Sequence, residues 1–292
     1  MSHETDIDFD AIIRAESARR PSSALRLTGA IALSLLWLLP FYYLFVTVFK
    51  STEEYASKNP LALPSGLWPI LENATAAWSS ARMAAGMFNS TLYGLCGAAI
   101  AVFLAAAAAC GMTRFQFRGK ALWFMLIFSG MVFPFQMYLI PLFFTYNSLG
   151  ILNTHGGMIL FYSAICIPFP FLVLRNYMNG ISREIDEAAR MDGAGEWTIF
   201  LRILIPNCWG PITATFLIQF TWIWNDLIFS TVLANRESTR SIMNALQSFQ
   251  SSYSVFGPNT VLTAALIASL PSIILFLILR KHFMRGLTVN TT

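Results

Sequence analysis

From Ala121 to Leu174 the chain runs 54 residues without one Asp, Glu, Lys or Arg. As a single α-helix that stretch would be roughly 81 Å long, against a bilayer hydrocarbon core of roughly 30 Å. It therefore has to hold two membrane spans. The polar, glycine-bearing run Asn147-Ser148-Leu149-Gly150 through Asn153-Thr154-His155-Gly156-Gly157 is the natural turn between them. Charge-free stretches also cover Leu27 to Phe49, Met83 to Thr113, Ile203 to Asn225 and Ser241 to Leu279. The expectation is an all-α polytopic membrane protein with six transmembrane helices, near 27–49, 86–112, 120–145, 157–178, 207–232 and 260–279. Composition agrees: only 12% of the 292 residues are charged, about half of what a soluble domain needs to coat a water-facing surface. A soluble enzyme fold, a disordered chain and a nucleic-acid binder are poor fits.

Leu27 to Phe49 is longer than a signal-peptide core and no A-x-A-like site follows it, so it reads as an uncleaved first span. Basic residues set the orientation. Fourteen of the 19 Lys and Arg fall in one set of segments, from Arg14 to Arg26, Arg114 to Lys120, Arg175 to Arg202 and Arg280 to Arg285. That bias places both termini and the 113–119 and 179–206 loops in the cytoplasm. The domain reading is a cytoplasmic tail at 1–26, a six-helix domain at 27–279 and a cytoplasmic tail at 280–292. Pro40, Pro134, Pro141, Pro168, Pro170, Pro211 and Pro271 lie within the spans, where a packed bundle tolerates them and a moving gate would use them.

Redox and metal chemistry find little support. Cys96, Cys110, Cys166 and Cys208 sit in or beside apolar runs with no CxxC pair, and His3, His155 and His282 are far apart. A phosphate loop is missing too. Gly119-Lys120 is the only Gly-Lys pair, preceded by Arg114 where the first glycine should stand and followed by Ala121 where Ser or Thr should. Such a chain cannot hydrolyse ATP by itself.

The loop between spans four and five is longer than a connector requires. Ser182 suits an N-cap, and Glu184, Asp186 and Glu187 sit at the positive end of a short helix that Gly193 can end in a left-handed cap. A second short helix follows, with Trp197, Phe200, Leu201 and Leu204 at i, i+3, i+4 and i+7 and Pro206 opening the next span. Two such helices could lie flat on lipid headgroups, or dock into a protein groove, which the small Glu-Ala-Ala face favours.

Glu187-Ala188-Ala189, three residues, Gly193, nine residues, then Ile203-Leu204-Ile205-Pro206 resembles the EAA loop of ATP-binding-cassette (ABC) importer permeases, E-A-A-x3-G-x9-I-x-L-P, with Ile205 in place of Leu. The text around it, Asp186 to Ala189, Asp192-Gly193-Ala194 and Trp222-Ile223-Trp224-Asn225-Asp226, is similar to carbohydrate permeases of the MalG type. The resemblance runs from the first span to Arg285-Gly286-Leu287-Thr288; the final Val289-Asn290-Thr291-Thr292 departs from the family's tail.

The resemblance implies a type I ABC importer permease fold, in the cell inner membrane. It implies a second permease subunit completing the pore, two ATPase subunits that hold ATP and Mg while this chain carries no cofactor, and an extracytoplasmic solute-binding protein that delivers a sugar or oligosaccharide. Asp186, Glu187, Ala188, Ala189, Asp192, Gly193, Ala194 and Pro206 would then form the ATPase-coupling site, with Glu187 accepting bonds from the ATPase. Trp222, Trp224, Asn225 and Asp226 are candidates for the substrate pathway, the indole rings because their apolar faces match sugar C–H surfaces. An ion-coupled secondary transporter or channel is the alternative, with Asp226 almost its only candidate ion-carrying group.

Overall fold

The computed structural model describes residues 23–57, 59–80, 83–249 and 256–287. They divide into two compact units after Ile70, inside the stretch read from sequence as one domain at 27–279. Among the described residues all regular structure is helical.

The first unit is α1 (Ser23–Val48) and the segment that follows it. Its 26 residues give a length of about 39 Å, enough to cross a bilayer. Most of its large apolar side chains are exposed, Trp37 at 75%. Short α2 (Thr52–Ser57) follows. The segment after it is tied by polar contacts: the buried Lys50 donates from Nζ to the carbonyls of Asn59 and Pro60, at 3.2 and 2.7 Å. A buried ammonium without such acceptors would carry a large desolvation cost.

The second unit is arranged along one long helix. In order come α3 (Pro69–Ser80), α4 (Met83–Arg114), α5 (Lys120–Val132) and α6 (Phe135–Ser148), whose first turn is 3₁₀. Then come α7 (His155–Ile165), α8 (Pro168–Asn179), α9 (Arg183–Met191), α10 (Glu196–Asn207), α11 (Trp209–Trp224), α12 (Ile228–Leu233), α13 (Ile242–Ser248) and α14 (Pro258–Leu287). The buried face of α4 is made of small residues, among them Gly97, Ala98, Ala101, Ala105 and Ala109. Helices whose contact residues are small pack with their backbones close, which is how spans associate where lipid removes the hydrophobic drive. At Gly97 a methyl group would lie 2.9 Å from Cβ of Tyr162, so glycine is what lets α7 cross α4 there.

Two cores share α4. One packs Tyr93, Tyr162, Phe220, Trp224 and Phe229 around its first half. The other packs Ala105, Ala109, Phe171, Leu174, Met178, Phe200, Leu204 and Cys208 around its second half. Three of the four cysteines are buried in these cores and none is paired with another, in keeping with a packing role.

Among the described residues three helices are long and apolar enough to cross a membrane, and three bent pairs bring the number to six if each pair is one span. The pairs depart from the sequence reading. The third span, expected at 120–145, is broken between α5 and α6 by 96°. Pro134 explains the break: it lacks an N–H and drives Phe133 into extended backbone (φ −75°, ψ 131°). The fourth bends by 43° ahead of Pro168. The fifth was expected over 207–232, but α11 stops at Trp224 and is preceded by a 77° bend at Cys208, so Pro206 closes α10 and does not open the span. The tails at 1–22 and 288–292 lie outside the described residues.

Candidate functional site

The loop after α8 folds into two helices joined by a tight turn. Ser182 caps α9, its Oγ accepting from the Glu184 N–H at 3.2 Å. At the other end Gly193 takes φ 84°. The Gly193 N–H donates to Arg190 O at 3.0 Å and the Ala194 N–H to Ala189 O at 2.9 Å. These two bonds form the six-to-one and five-to-two pairing that ends a helix on a left-handed residue. The side chains of Arg190 and Glu196 close the turn from outside by a two-pronged ion pair, Nε to Oε1 at 2.9 Å and Nη2 to Oε2 at 3.2 Å. The Glu196 contact raises the exposed Arg190 guanidinium above its ordinary value, so it stays charged.

The two faces of α9 differ. Glu187, Ala188, Met191 and Asp192 are exposed, Met191 at 88%. Ala189 and Ala194 are half-buried and pack against the second core. Asp186 faces inward: it is 1% exposed, and its Oδ2 lies 2.6 Å from Nε of Arg114, the last residue of α4. Arg114 also donates to Ile181 O, and Arg183 donates to Thr113 O at 2.8 Å. The acidic side of α9 is thus split. Glu187 points out, and Asp186, read from sequence as part of the same docking surface, is spent on an internal ion pair.

The second helix also differs from its expected face. Phe200 and Leu204 are buried with Ile199, but Trp197 is 67% and Leu201 48% exposed. A π-helical turn over Phe200–Leu204 inserts an extra residue and rotates the stripe away from simple i, i+3, i+4 spacing. Trp197 packs edge-on against Phe200 at 5.7 Å and is otherwise exposed. Pro206 is exposed.

Of the four substrate-pathway candidates, two are taken by the fold. Trp224 is 3% exposed, donates from Nε1 to Ala268 O at 3.1 Å and stacks on Phe220. Asp226 caps α12, accepting from the Phe229 and Ser230 N–H groups at 3.3 and 3.0 Å and from the Tyr162 hydroxyl at 2.8 Å. Trp224 is closed to a solute because it serves helix packing, and the half-buried Asp226 is engaged at the start of a helix. Trp222 is half-buried with ring contacts to Phe135 and Tyr162, and Asn225 is exposed. Sequence reasoning did not find the Arg114–Asp186 pair. Seventy-two positions separate its partners, and in sequence Arg114 counts only toward topology and against a phosphate loop.

Compared with known proteins, residues 97–289 match the family model described as "Binding-protein-dependent transport system inner membrane component". The chain is 32% identical over 258 residues to the probable ABC transporter permease protein YurM of Bacillus subtilis, covering 88% of this chain and 82% of that one. It is 30% identical to the melibiose/raffinose/stachyose import permease protein MelC of the same organism, covering 86% and 89%. A third relative, the diacetylchitobiose uptake system permease protein NgcG of Streptomyces coelicolor, is 30% identical over 80% of this chain and 79% of its own length. In fold the chain resembles one from a bacterial ABC transporter involved in the import of the acidic polysaccharide alginate. The TM-score is 0.77 at 22% identity, over 90% of this chain and 99% of that one.

Proposed function

The chain belongs to the binding-protein-dependent transport system inner membrane component family and is a non-catalytic permease subunit of an ABC importer; from that premise we propose that it imports a sugar or oligosaccharide and is driven through α9. It is a multi-pass inner-membrane protein working in a complex with a binding protein. This membership sets aside the ion-coupled carrier, whose one candidate group, Asp226, is used as a helix cap.

The observation that carries the coupling reading is the presentation of α9. A capped helix, stopped on a left-handed Gly193, holds Glu187, Ala188, Met191 and Asp192 outward. This surface offers two carboxylates to accept charge-assisted bonds, a small residue for close approach and one apolar side chain to bury, and Trp197 is exposed on the helix that follows. Its partner is an ATPase subunit, one of two, and a second permease subunit completes the pore. Both termini are placed on the ATPase side in this reading, which the excess of basic residues supports. Transport relatives whose names specify diacetylchitobiose or melibiose, raffinose and stachyose support the cargo class. Trp222 and Asn225 remain as solute contacts from this chain.

The test is a reconstituted importer with its binding protein, assayed for ATP hydrolysis against diacetylchitobiose, raffinose, maltose and an amino acid mixture. Stimulation confined to an oligosaccharide is expected. Stimulation by amino acids alone would overturn the cargo assignment.

A further inference from the structure

Helix α4 is fastened by buried polar groups at both of its ends, to elements far apart in the molecule. At its C-terminal end stands the Arg114–Asp186 ion pair, with side chains 4% and 2% exposed. The Arg114–Ile181 and Arg183–Thr113 bonds flank it. Near its N-terminal end Asn89 donates from Nδ2 to the carbonyls of both Ser238 and Arg240, each at 2.9 Å. Ser90 Oγ accepts from the Ile242 N–H at 2.9 Å, and the Tyr93 hydroxyl donates to Thr239 O at 2.8 Å. Asn89, Ser90 and Tyr93 are all buried, at 2%, 1% and 1% exposure. From Asn89 to Arg114 the unbroken helix spans about 37 Å, without a proline.

We propose that α4 is a rod that carries displacement of α9 to the 238–242 segment, and that Arg114 and Asp186 are the positioning residues that lock α9 to it. This rests on the reading of α9 as the ATPase-docking helix. The physical reason lies in the kind of contact. An apolar seam lets two helices slide, because one methyl contact replaces another. A desolvated ion pair does not, since any slip leaves both charges buried and unpaired. The contact is an ion pair without a regular hydrogen bond, Arg114 Nε and Asp186 Oδ1 both being buried without a hydrogen-bond partner, an arrangement that serves register more than stability. The opposite end works in the same way: buried Asn89, Ser90 and Tyr93 of α4 hold the 238–242 segment by four hydrogen bonds to its backbone, so a slip would leave those buried side chains unpaired and the segment follows the helix.

The experiment uses the assembled importer in nanodiscs, where both faces meet the reagent. Cys96, Cys110, Cys166 and Cys208 are replaced by alanine and Ser238→Cys is introduced as a reporter. Maleimide labelling of position 238 is followed with and without ATP plus vanadate, and ATPase co-purification is measured on the same samples. With the native pair, ATP should change the labelling rate at least fivefold. Asp186→Asn and Arg114→Met should retain the ATPase yet lose the change, and the exchange Arg114→Asp with Asp186→Arg should restore most of it. A merely stabilising pair would lower the yield of complex and leave the ATP-dependent change per complex intact. That outcome overturns the proposal, as does loss of the ATPase from Asp186→Asn without rescue by the exchange. If the native chain fails to hold an ATPase at all, the docking reading falls and the rod falls with it.

Discussion

At Gly193 the backbone has φ 84° with open space around a would-be Cβ. The constraint there is conformational, and a side chain costs roughly 1–2 kcal/mol through the backbone alone. At Gly97 the constraint is the reverse, a close neighbour at ordinary φ. Gly97→Val should destabilise the purified subunit by about 1–3 kcal/mol through overpacking against Tyr162, visible as a lower midpoint in detergent thermal melts. An unchanged melt would show that α7 moves aside at no cost. Trp224 makes a third case. Trp224→Phe keeps the ring but loses the bond to Ala268 O, at a cost of about 1 kcal/mol. The KM for solute should stay at its native value, whereas Trp222→Ala should raise it. A KM change confined to Trp224→Phe would return that indole to the pathway. From sequence, Trp222 and Trp224 looked alike; they lie two residues apart in one helix and so face different ways. One chain gave no means to tell which face of α11 meets α14.

Among elements, the legible ones were those whose ends carry local chemistry. Ser182 and Gly193 bound α9 as expected because a cap needs only its own few residues. Ser182→Ala should therefore cost about 1 kcal/mol, read as a loss of protease resistance in the 179–206 loop; unaltered proteolysis would mean the cap is idle. Long-range packing was not legible. The π turn in α10 turns Trp197 and Leu201 outward, and the 96° bend at Pro134 splits a run that hydropathy alone made continuous. Hydropathy counts apolar residues without regard to direction, so it located the spans but not their bends. Topology offers a separate check. A membrane-impermeant reagent outside intact cells should label Ser80→Cys and spare Ser182→Cys; labelling of the latter would invert the orientation. Ser251, also expected outside, lies beyond the described residues.

The molecule as a whole is one subunit of an ABC importer that works in a complex with a binding protein. It lacks a phosphate loop, so the purified chain in lipid should hydrolyse no ATP above background. Turnover from a clean preparation would contradict the family's division of labour. The fold gives it one outward-facing helix and one long helix behind that. On the proposed coupling, ATP-driven motion enters this chain through α9. Solute uptake and ATPase co-purification in vesicles reconstituted with Gly193→Val and, separately, Glu187→Lys test this. Assembly with the partner permease should persist in both, while ATPase retention falls and uptake is abolished. Uptake at the native rate in both variants would show that the motion enters elsewhere.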